Sequence, residues 1–430
     1  MSGKEYNGGE LVSEVFKKEG IKYIFGLPGG HIYPMIEGCE DRGIKYIGVR
    51  HEMTAAFMAE GWALATGRVG VCTGTAGPGF TNLITGLANS DRGGIPVLCL
   101  AGKARVTEND RNALQDFNQI DMVKQMTRHA RSVLEPQRIP EYVGRAISYA
   151  TTGSPGPVYL EIPRDIMESK VDAAQVEFQN IYRTKSTAMG CPEDIQGAVE
   201  LIRKAEKPLV VAGGGVWWSQ AQKEMKDFVE KSGIPLFTRN AARGTVSDSH
   251  PLHMGIAAHM HPLFNAALSE ADCIIIIGTR PGYTLDKKVF TTSHKIIRVD
   301  IDPAELTNQL DIDVGIVGDA KNVLRQLTDA IEKTEYPEWV QFIQMMNENM
   351  MSLFAPMASS QDEPINPMRL VSEIAKRVDQ ETIVVIDGGD SAKWGNLIIP
   401  ATGPGQYLSI AGTSFGPLGV GIPYAMAAKL

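Results

Sequence analysis

Residues 47–67, IGVRHEMTAAFMAEGWALATG, set a carboxylate, Glu52, straight after an apolar strand and at the first turn of an alanine-rich helix. An ionisable group at a junction whose neighbours are packed needs a reason. The same strand-then-helix step repeats on both sides of it: helix 10–20, strand YIFG (23–26), helix 33–41, strand YIGV (46–49), helix 53–66, strand GVCTGT (70–75), helix 80–90 and strand PVLCLAG (96–102). Helix 140–151 and strand PVYLEIP (157–163) close the series. Such alternation predicts an α/β fold with a parallel sheet flanked by helices.

A polar stretch, 168–192, reads as a linker. A second α/β unit starts at Pro208 with PLVVAGGG, continues through helix 219–232, strand IPLFT, helix 261–271 and strands CIIIIG and KIIRVDID, and ends near residue 333. The methionine-rich segment 339–357 has helical spacing and reads as a connecting helix packed on a neighbour, since methionine fills irregular gaps. A third unit begins near 367 with helix PMRLVSEIAKRV, strands TIVVIDGG and QYLSIA, and a helix at 420–430. One such helix and two strands leave a parallel sheet incomplete. The expected organisation is therefore 1–180, 190–335, a linker at 336–366, and a partial domain at 367–430.

With 430 residues, at about 150 per domain, roughly three domains are expected. The chain is 43% apolar and 21% charged, and no apolar run is long enough to span a membrane. A net charge of −8 without a basic stripe argues against nucleic acid or an anionic membrane as partner and leaves small-molecule substrates. The five cysteines (Cys39, Cys72, Cys99, Cys191, Cys273) are odd in number and lack metal-type spacing. They read as reduced and structural, and with no export signal at the start the expected location is cytoplasmic.

Four stretches carry the chemistry. FGLPGGHIYP (25–34) is a strand running into a glycine turn that presents His31; VRHEM (49–53) holds Glu52; TGTAGPGFTN (73–82) is another strand, glycine turn and helix start; NALQDFNQID (112–121) is rich in amides. In an α/β sheet ligands collect at the carboxyl ends of the strands, where these turns fall, so the four converge on one crevice. For Glu52 the bland alternative is an acid capping a helix N-terminus.

GLPGG (26–30), RHE (50–52), AEGWALATG (59–67), GPGFTN (77–82) and GPVYLEIP (156–163) resemble the signatures of the pyrimidine-binding domain of the thiamine-diphosphate enzymes of the acetolactate synthase group. ARGTVSDSHPLHMG, ADCIIIIGTR, VDIDPAEL and VGDA resemble that family's central domain, and GTSFGPLGVGIPYAMAAKL resembles the opening of its diphosphate-binding domain. The resemblance implies the three-domain thiamine-diphosphate enzyme fold, with the third domain incomplete. It also implies that Glu52 hydrogen-bonds the cofactor's aminopyrimidine and shifts it to the tautomer that takes the C2 proton, a role for which burial suits a carboxylate. The cofactor contacts it implies are Glu52, Pro28, Gly29, Thr75, Pro78, Asn82, Asp390, Ser391, Gly416 and Leu418, the last as the apolar prop beneath the bent cofactor.

His31 and Gln115 make the active-site pattern similar to 2-hydroxyacyl-CoA lyase and benzaldehyde lyase, with a neutral histidine shuttling the hydroxyl proton; His51 reads as structural. The expected activity is a carbon–carbon lyase or ligase of 2-hydroxyacyl-CoA lyase type. The alternatives are an acetolactate synthase condensing pyruvate and a noncatalytic partner subunit of the same fold. The turn AGGGVWWS (212–219) could approach an ADP, CoA or FAD moiety. The family's magnesium motif, GDG with a later asparagine, is not found in this sequence, so no metal ligand is expected from it. The expectation is that a small subunit carrying that motif, or a missing C-terminal part, supplies the Mg²⁺ and diphosphate site. Ala55, Ala56, Ala59 and Ala63 are expected to form the contact of a homodimer or tetramer.

Overall fold

Short apolar runs become the strands of the sheets, and the computed structural model describes residues 4–180, 182, 186–258, 260–410 and 414–430 of the chain. They divide into two compact units, Met1–Lys185 with Ile422–Leu430, and Ser186–Gly421.

In the first unit the elements run β1 (Glu5–Asn7), α1 (Gly8–Lys18), β2 (Tyr23–Gly26), α2 (Tyr33–Glu40), β3 (Lys45–Gly48), α3 (Glu52–Thr66), β4 (Gly70–Gly74), α4 (Pro78–Thr81), α5 (Ile84–Gly93) and β5 (Val97–Lys103). They continue with α6 (Gln119–Val123), β6 (Ala130–Ser132), α7 (Ile139–Thr151), β7 (Val158–Pro163), α8 (Arg164–Glu168) and β8 (Lys170–Asp172). Six strands form a parallel sheet in the order β3-β2-β4-β5-β7-β6. Helices α1, α2 and α7 share a core with Ile24, Val71, Leu98, Leu100 and Leu160. Because side chains alternate along a strand, α3 and α5, which pack on β2, β4 and β5, cover the opposite face. β1 and β8 pair antiparallel outside this sheet. These two strands and β6 were not expected, because three residues are too few to display a period of two.

Two expectations fail here. The single helix at 80–90 is broken, with Asn82 and Leu83 between α4 and α5. The alanine face of α3 is not available to a second subunit: Ala55, Ala56, Ala59 and Ala63 are buried within this unit. Ala56 fills the place a Cβ on Gly86 would take, and the carbonyl of Ala59 does the same against Gly70. Small residues here bring helix and sheet of one chain together, and α3 is buried almost all round, as an enclosed helix is.

In the second unit the elements are α9 (Pro192–Lys204), β9 (Pro208–Ala212), α10 (Gly214–Trp218), α11 (Gln222–Ser232), β10 (Leu236–Thr238), β11 (His253–Ile256), α12 (Pro262–Glu270), β12 (Cys273–Ile277), β13 (Lys295–Asp300), α13 (Pro303–Leu306), β14 (Val314–Val317) and α14 (Ala320–Ala330). The parallel order is β11-β10-β9-β12-β13-β14. Ile275 and Ile277 of β12 face one core with α9, α11 and α14, while Ile274 and Ile276 face the other with α12. A strand buried on both faces reads as an unbroken isoleucine run for this reason. α15 (Pro337–Ala358) packs on the second core through Trp339, Ile343 and Met350, and Trp339 Nε1 donates to the Pro208 carbonyl at 2.9 Å.

α16 (Pro367–Ala375), β15 (Val384–Ile386), α17 (Asp390–Ile398) and β16 (Tyr407–Ser409) complete this unit, β15 and β16 forming a two-stranded parallel sheet. The expected strand 406–411 runs into Ala411, and the GTSFG motif begins at Gly412 and Thr413; these three residues lie outside the described ones. The last helix, α18 (Gly421–Ala428), carries Tyr424, which is fully buried.

Glu60, on α3, is fully buried with that tyrosine. Asn89 Nδ2 (3.0 Å), Ser90 Oγ (2.8 Å) and Tyr424 Oη (3.0 Å) all donate to its carboxylate. Burial outweighs these donors and pushes the carboxyl from 4.5 up to about 8. A native pKa above the unfolded one means the folded state keeps its proton while the unfolded state releases it. The associated stability is therefore complete below about pH 4.5 and lost as pH rises through about 8. Urea denaturation between pH 4.5 and 9 is expected to show the wild type losing stability relative to Glu60→Gln across that window, by on the order of 1 kcal/mol per pH unit. A constant difference would rule out the buried titration.

Candidate active site

Four strand ends of the first unit carry the candidate residues. After β2 the turn Leu27–Gly30 leads to His31, and Gly29 packs so closely on Thr75 that a Cβ there would lie 2.5 Å from the threonine Cβ. His31 Nδ1 lies 2.8 Å from Thr75 Oγ1. Its own Cβ occupies the space a side chain on Gly102, at the end of β5, would need. Half-burial lowers the His31 pKa, reinforced by the positive charge of Arg164 and opposed by Glu108 and Glu168. The imidazole is therefore neutral near pH 7.

After β3 the chain turns through Arg50 and His51 into α3. His51 is the N-cap, its Nδ1 accepting from the Met53 amide at 3.2 Å, which gives it the structural role expected. Glu52 follows as the first helical residue, 4% exposed. Asn82 Nδ2 donates to Glu52 Oε2 at 2.9 Å, and no hydrogen bond reaches Oε1 among the described residues. Oε1 instead faces Gly79, where an added Cβ would stand 3.3 Å from it. The helix N-terminus favours a negative charge at this first position, while the cap itself is His51. Tyr46 feels that charge: burial first, then Glu52, raises its phenol pKa, and its hydroxyl is buried without a hydrogen-bond partner among the described residues.

After β4, Gly77 has φ +60, the left-handed region, and caps α4. A Cβ on it would lie 2.8 Å from the Gln115 Cβ, which places Gln115 directly on this turn. Pro78 opens α4 and Asn82 ends it. The structure thus brings together Glu52, Asn82, Thr75, His31, Gly29, Pro78 and Gln115, with Pro28 exposed on the neighbouring turn.

Asp390, Ser391, Gly416 and Leu418 belong to the second unit. Asp390 is exposed at the start of α17, and a 2.8 Å hydrogen bond from Lys393 holds its carboxyl below the usual range. Ser391 Oγ donates to the Gly388 carbonyl at 2.8 Å. Leu418 is 67% exposed, its Cδ2 where a Cβ on Gly388 would come within 2.7 Å. The residue that organises this corner, Asp387, was not anticipated: its carboxylate accepts from the amides of Gly388 (2.7 Å), Gly419 (3.1 Å) and Gly421 (2.9 Å). The only hint was the DGG at the end of a strand.

The glycines of AGGGVWWS have a packing explanation. Helix α10 begins there, a Cβ on Gly213 would lie 2.2 Å from the Thr279 Cβ and one on Gly215 2.7 Å from the Gly278 Cα, so two of the three glycines are accounted for without an ADP, CoA or FAD moiety. Among the described residues no group of three or more His, Cys, Asp or Glu side chains is placed to hold a metal ion. No helix is long and apolar enough to cross a membrane among them.

Residues 6–122 match the thiamine pyrophosphate enzyme N-terminal TPP binding domain, and residues 195–327 match the thiamine pyrophosphate enzyme central domain. The chain is 35% identical over 438 residues to a probable acetolactate synthase large subunit of Methanocaldococcus jannaschii, covering 98% of this chain and 73% of that protein. It is 32% identical over 439 residues to the acetolactate synthase large subunit of Corynebacterium glutamicum, covering 98% and 68% respectively. Against the acetolactate synthase isozyme 1 large subunit of Escherichia coli it is 31% identical over 433 residues, covering 99% and 75%.

The turn geometry is testable on its own. Gly77→Ala places a Cβ at φ +60 against Gln115 and is expected to cost about 1–3 kcal/mol in chemical denaturation. An unchanged unfolding midpoint would contradict the tight packing of Gln115 on this turn.

Proposed function

The chain belongs to the thiamine-diphosphate-dependent enzymes of the acetolactate synthase group, and from that membership we propose that it condenses two molecules of pyruvate to acetolactate, one of them losing its carboxylate as carbon dioxide. The observation that carries this reading is a buried Glu52 with Asn82 on one oxygen and Oε1 left towards a glycine-lined turn. The names of its relatives favour this reaction over the 2-hydroxyacyl-CoA lyase expected first.

The residues fit the cofactor. Gly29, Gly77 and Gly79 let Thr75, Gln115 and Glu52 close around one turn, because those side chains stand where a Cβ would be. When bound, thiamine diphosphate supplies a carbon nucleophile and a sink for the electron pair released on bond cleavage. Glu52 shares a proton through Oε1, the oxygen that Asn82 leaves free, while Asn82 fixes the carboxylate's orientation. Pro28, Thr75, Pro78 and Gln115 are proposed to line the same crevice, and Asp390, Ser391, Gly416 and Leu418 to act on the diphosphate side. No step is assigned to magnesium.

Relatives named as large subunits support a homo-oligomer of this chain working with a second, smaller subunit. Free cysteines, of which Cys39, Cys72, Cys99 and Cys273 are buried and Cys191 is exposed, suit a reducing, cytoplasmic setting.

Purified protein or complex given thiamine diphosphate, Mg²⁺ and pyruvate is expected to form acetolactate, and Glu52→Gln to lower turnover by at least about 100-fold. Undiminished turnover in that variant would refute the role of Glu52.

A second reading has its own support: a neutral His31 bonded to Thr75 suits proton transfer at a substrate hydroxyl, as cleavage of a 2-hydroxyacyl-CoA requires. If His31 acts as that base, activity falls as pH drops through its lowered pKa, below the ordinary 6.5. His31→Asn would then lose the acid limb of the pH–rate profile. An acid limb that persists unchanged, with no product from a 2-hydroxyacyl-CoA, leaves the pyruvate reaction alone standing.

A further inference from the structure

Gln119 opens α6 at the end of the amide-rich stretch and is 1% exposed. Its Oε1 accepts from the Gly77 amide at 3.0 Å. Its Nε2 lies 3.1 Å from the Gly102 carbonyl, 2.8 Å from Tyr159 Oη and 3.1 Å from Glu161 Oε2. The two ends of the amide are told apart by chemistry, since a backbone N–H can only donate and a carbonyl can only accept. A neutral side chain that must do both at once, in a buried place, is an amide.

Two strand ends and the body of a third strand meet on this one group: the turn after β4, the end of β5, and β7 through Tyr159 and Glu161. The two strand ends lead to residues of the candidate site. Gly77 is the N-cap of α4 and Asn82 its C-cap, and Asn82 Nδ2 donates to Glu52 Oε2. Gln115 packs on Gly77, and His31 packs on Gly102. Lys103 braces the same loop, donating to the Phe117 carbonyl at 3.1 Å, with Glu161 Oε1 at 3.7 Å and Asp116 Oδ1 at 3.9 Å.

We propose that Gln119 is a positioning residue for the reaction: by fixing the Gly77 turn it sets where Asn82 holds the Glu52 carboxylate. The role rests on the reading of Glu52 as the cofactor's carboxylate. Gln119 does not itself touch the reacting atoms. Its effect passes through one helical turn, too short to flex between its ends.

Two variants of the full chain test it. Gln119→Met keeps the volume and removes all four contacts, leaving the Gly77 N–H and the Gly102 carbonyl without their partner. Gln119→Glu keeps the acceptor; protonated, it also keeps a donor, and ionised it faces Glu161, with Lys103, Asp116 and Tyr159 the other titratable groups around it. Without cofactor, amide exchange of the segment 77–82 is expected to accelerate at least tenfold in Gln119→Met, with exchange in β2 unchanged. In Gln119→Glu the rate relative to wild type at the same pH should stay near one at pH 5.5 and rise at least several-fold by pH 8, that ratio being the pH dependence attributed to residue 119. In the loaded enzyme Gln119→Met should lower kcat at least tenfold with KM for pyruvate within twofold.

Unaltered exchange at 77–82, or acceleration spread evenly over the first unit, would overturn the inference. Should Gln119→Met not fold, the pH dependence in Gln119→Glu decides: present, it supports the role, and absent, it refutes it. Failure of the Glu52 reading looks different, since Glu52→Gln would then keep turnover while the exchange at 77–82 still answers to residue 119.

Discussion

A carboxylate that must be buried yet keep one oxygen for a ligand is the constraint around which the first unit is arranged. Taking a charge out of water costs several kcal/mol unless something replaces its hydration. At Glu52 the replacement is partial by design: the amino terminus of α3 and the Asn82 amide serve one side, and Oε1 is turned to a glycine. Full satisfaction by protein donors would stabilise the fold and close the site. Glu60, two turns further along the same helix, shows that contrast: three residues donate to it, one of them from the last helix, and nothing is left for a ligand.

The glycines answer the same constraint from the backbone side. Gly29, Gly77, Gly79 and Gly102 stand where Thr75, Gln115, Glu52 and His31 already fill the space a Cβ would need. Close approach of four strand ends is thus obtained by deleting side chains. The polar groups so crowded together are then held in register by the Gln119 amide and the Lys103–Glu161 pair rather than by apolar packing. Networks of this kind specify one arrangement at the cost of tolerance, because each buried member depends on the others.

Alternation of strand and helix made the first parallel sheet legible except for β6, and four of the six strands of the second, with β11 and β14 missed; the strand-then-helix position of Glu52, His31 and the glycine turns made the candidate residues legible. What escaped had short or ambiguous signals. β1, β6 and β8 are three residues each and carry no period. The alanines of α3 suit a subunit contact and an internal helix–sheet contact equally, and only the facing Gly70 and Gly86, distant in sequence, decide between them. Gln119, and Asp387 beyond its neighbour Gly388, bond to backbone amides that the fold brings to them, so little in the local sequence marks them. The break at Asn82 was hidden because α4 is a single turn with no period of its own; Asn82, between the helices, donates to Glu52.

That division bears on which reaction the site performs. In the proposed function Glu52, Asn82 and the Gly77 turn serve the cofactor, whose demands are common to carbon–carbon bond making and breaking. They can be kept while substrate preference changes. His31 and Gln115 stand beside that machinery on separate turns, each resting on a glycine, Gly102 and Gly77, that removes any obstacle to its side chain. A histidine and an amide can therefore vary at these two places without disturbing the carboxylate. Overall identity to acetolactate synthase large subunits and a histidine suited to a hydroxylated substrate are then compatible. The first reports the shared machinery over most of the chain, and the second reports two side chains whose positions the fold leaves free to specialise.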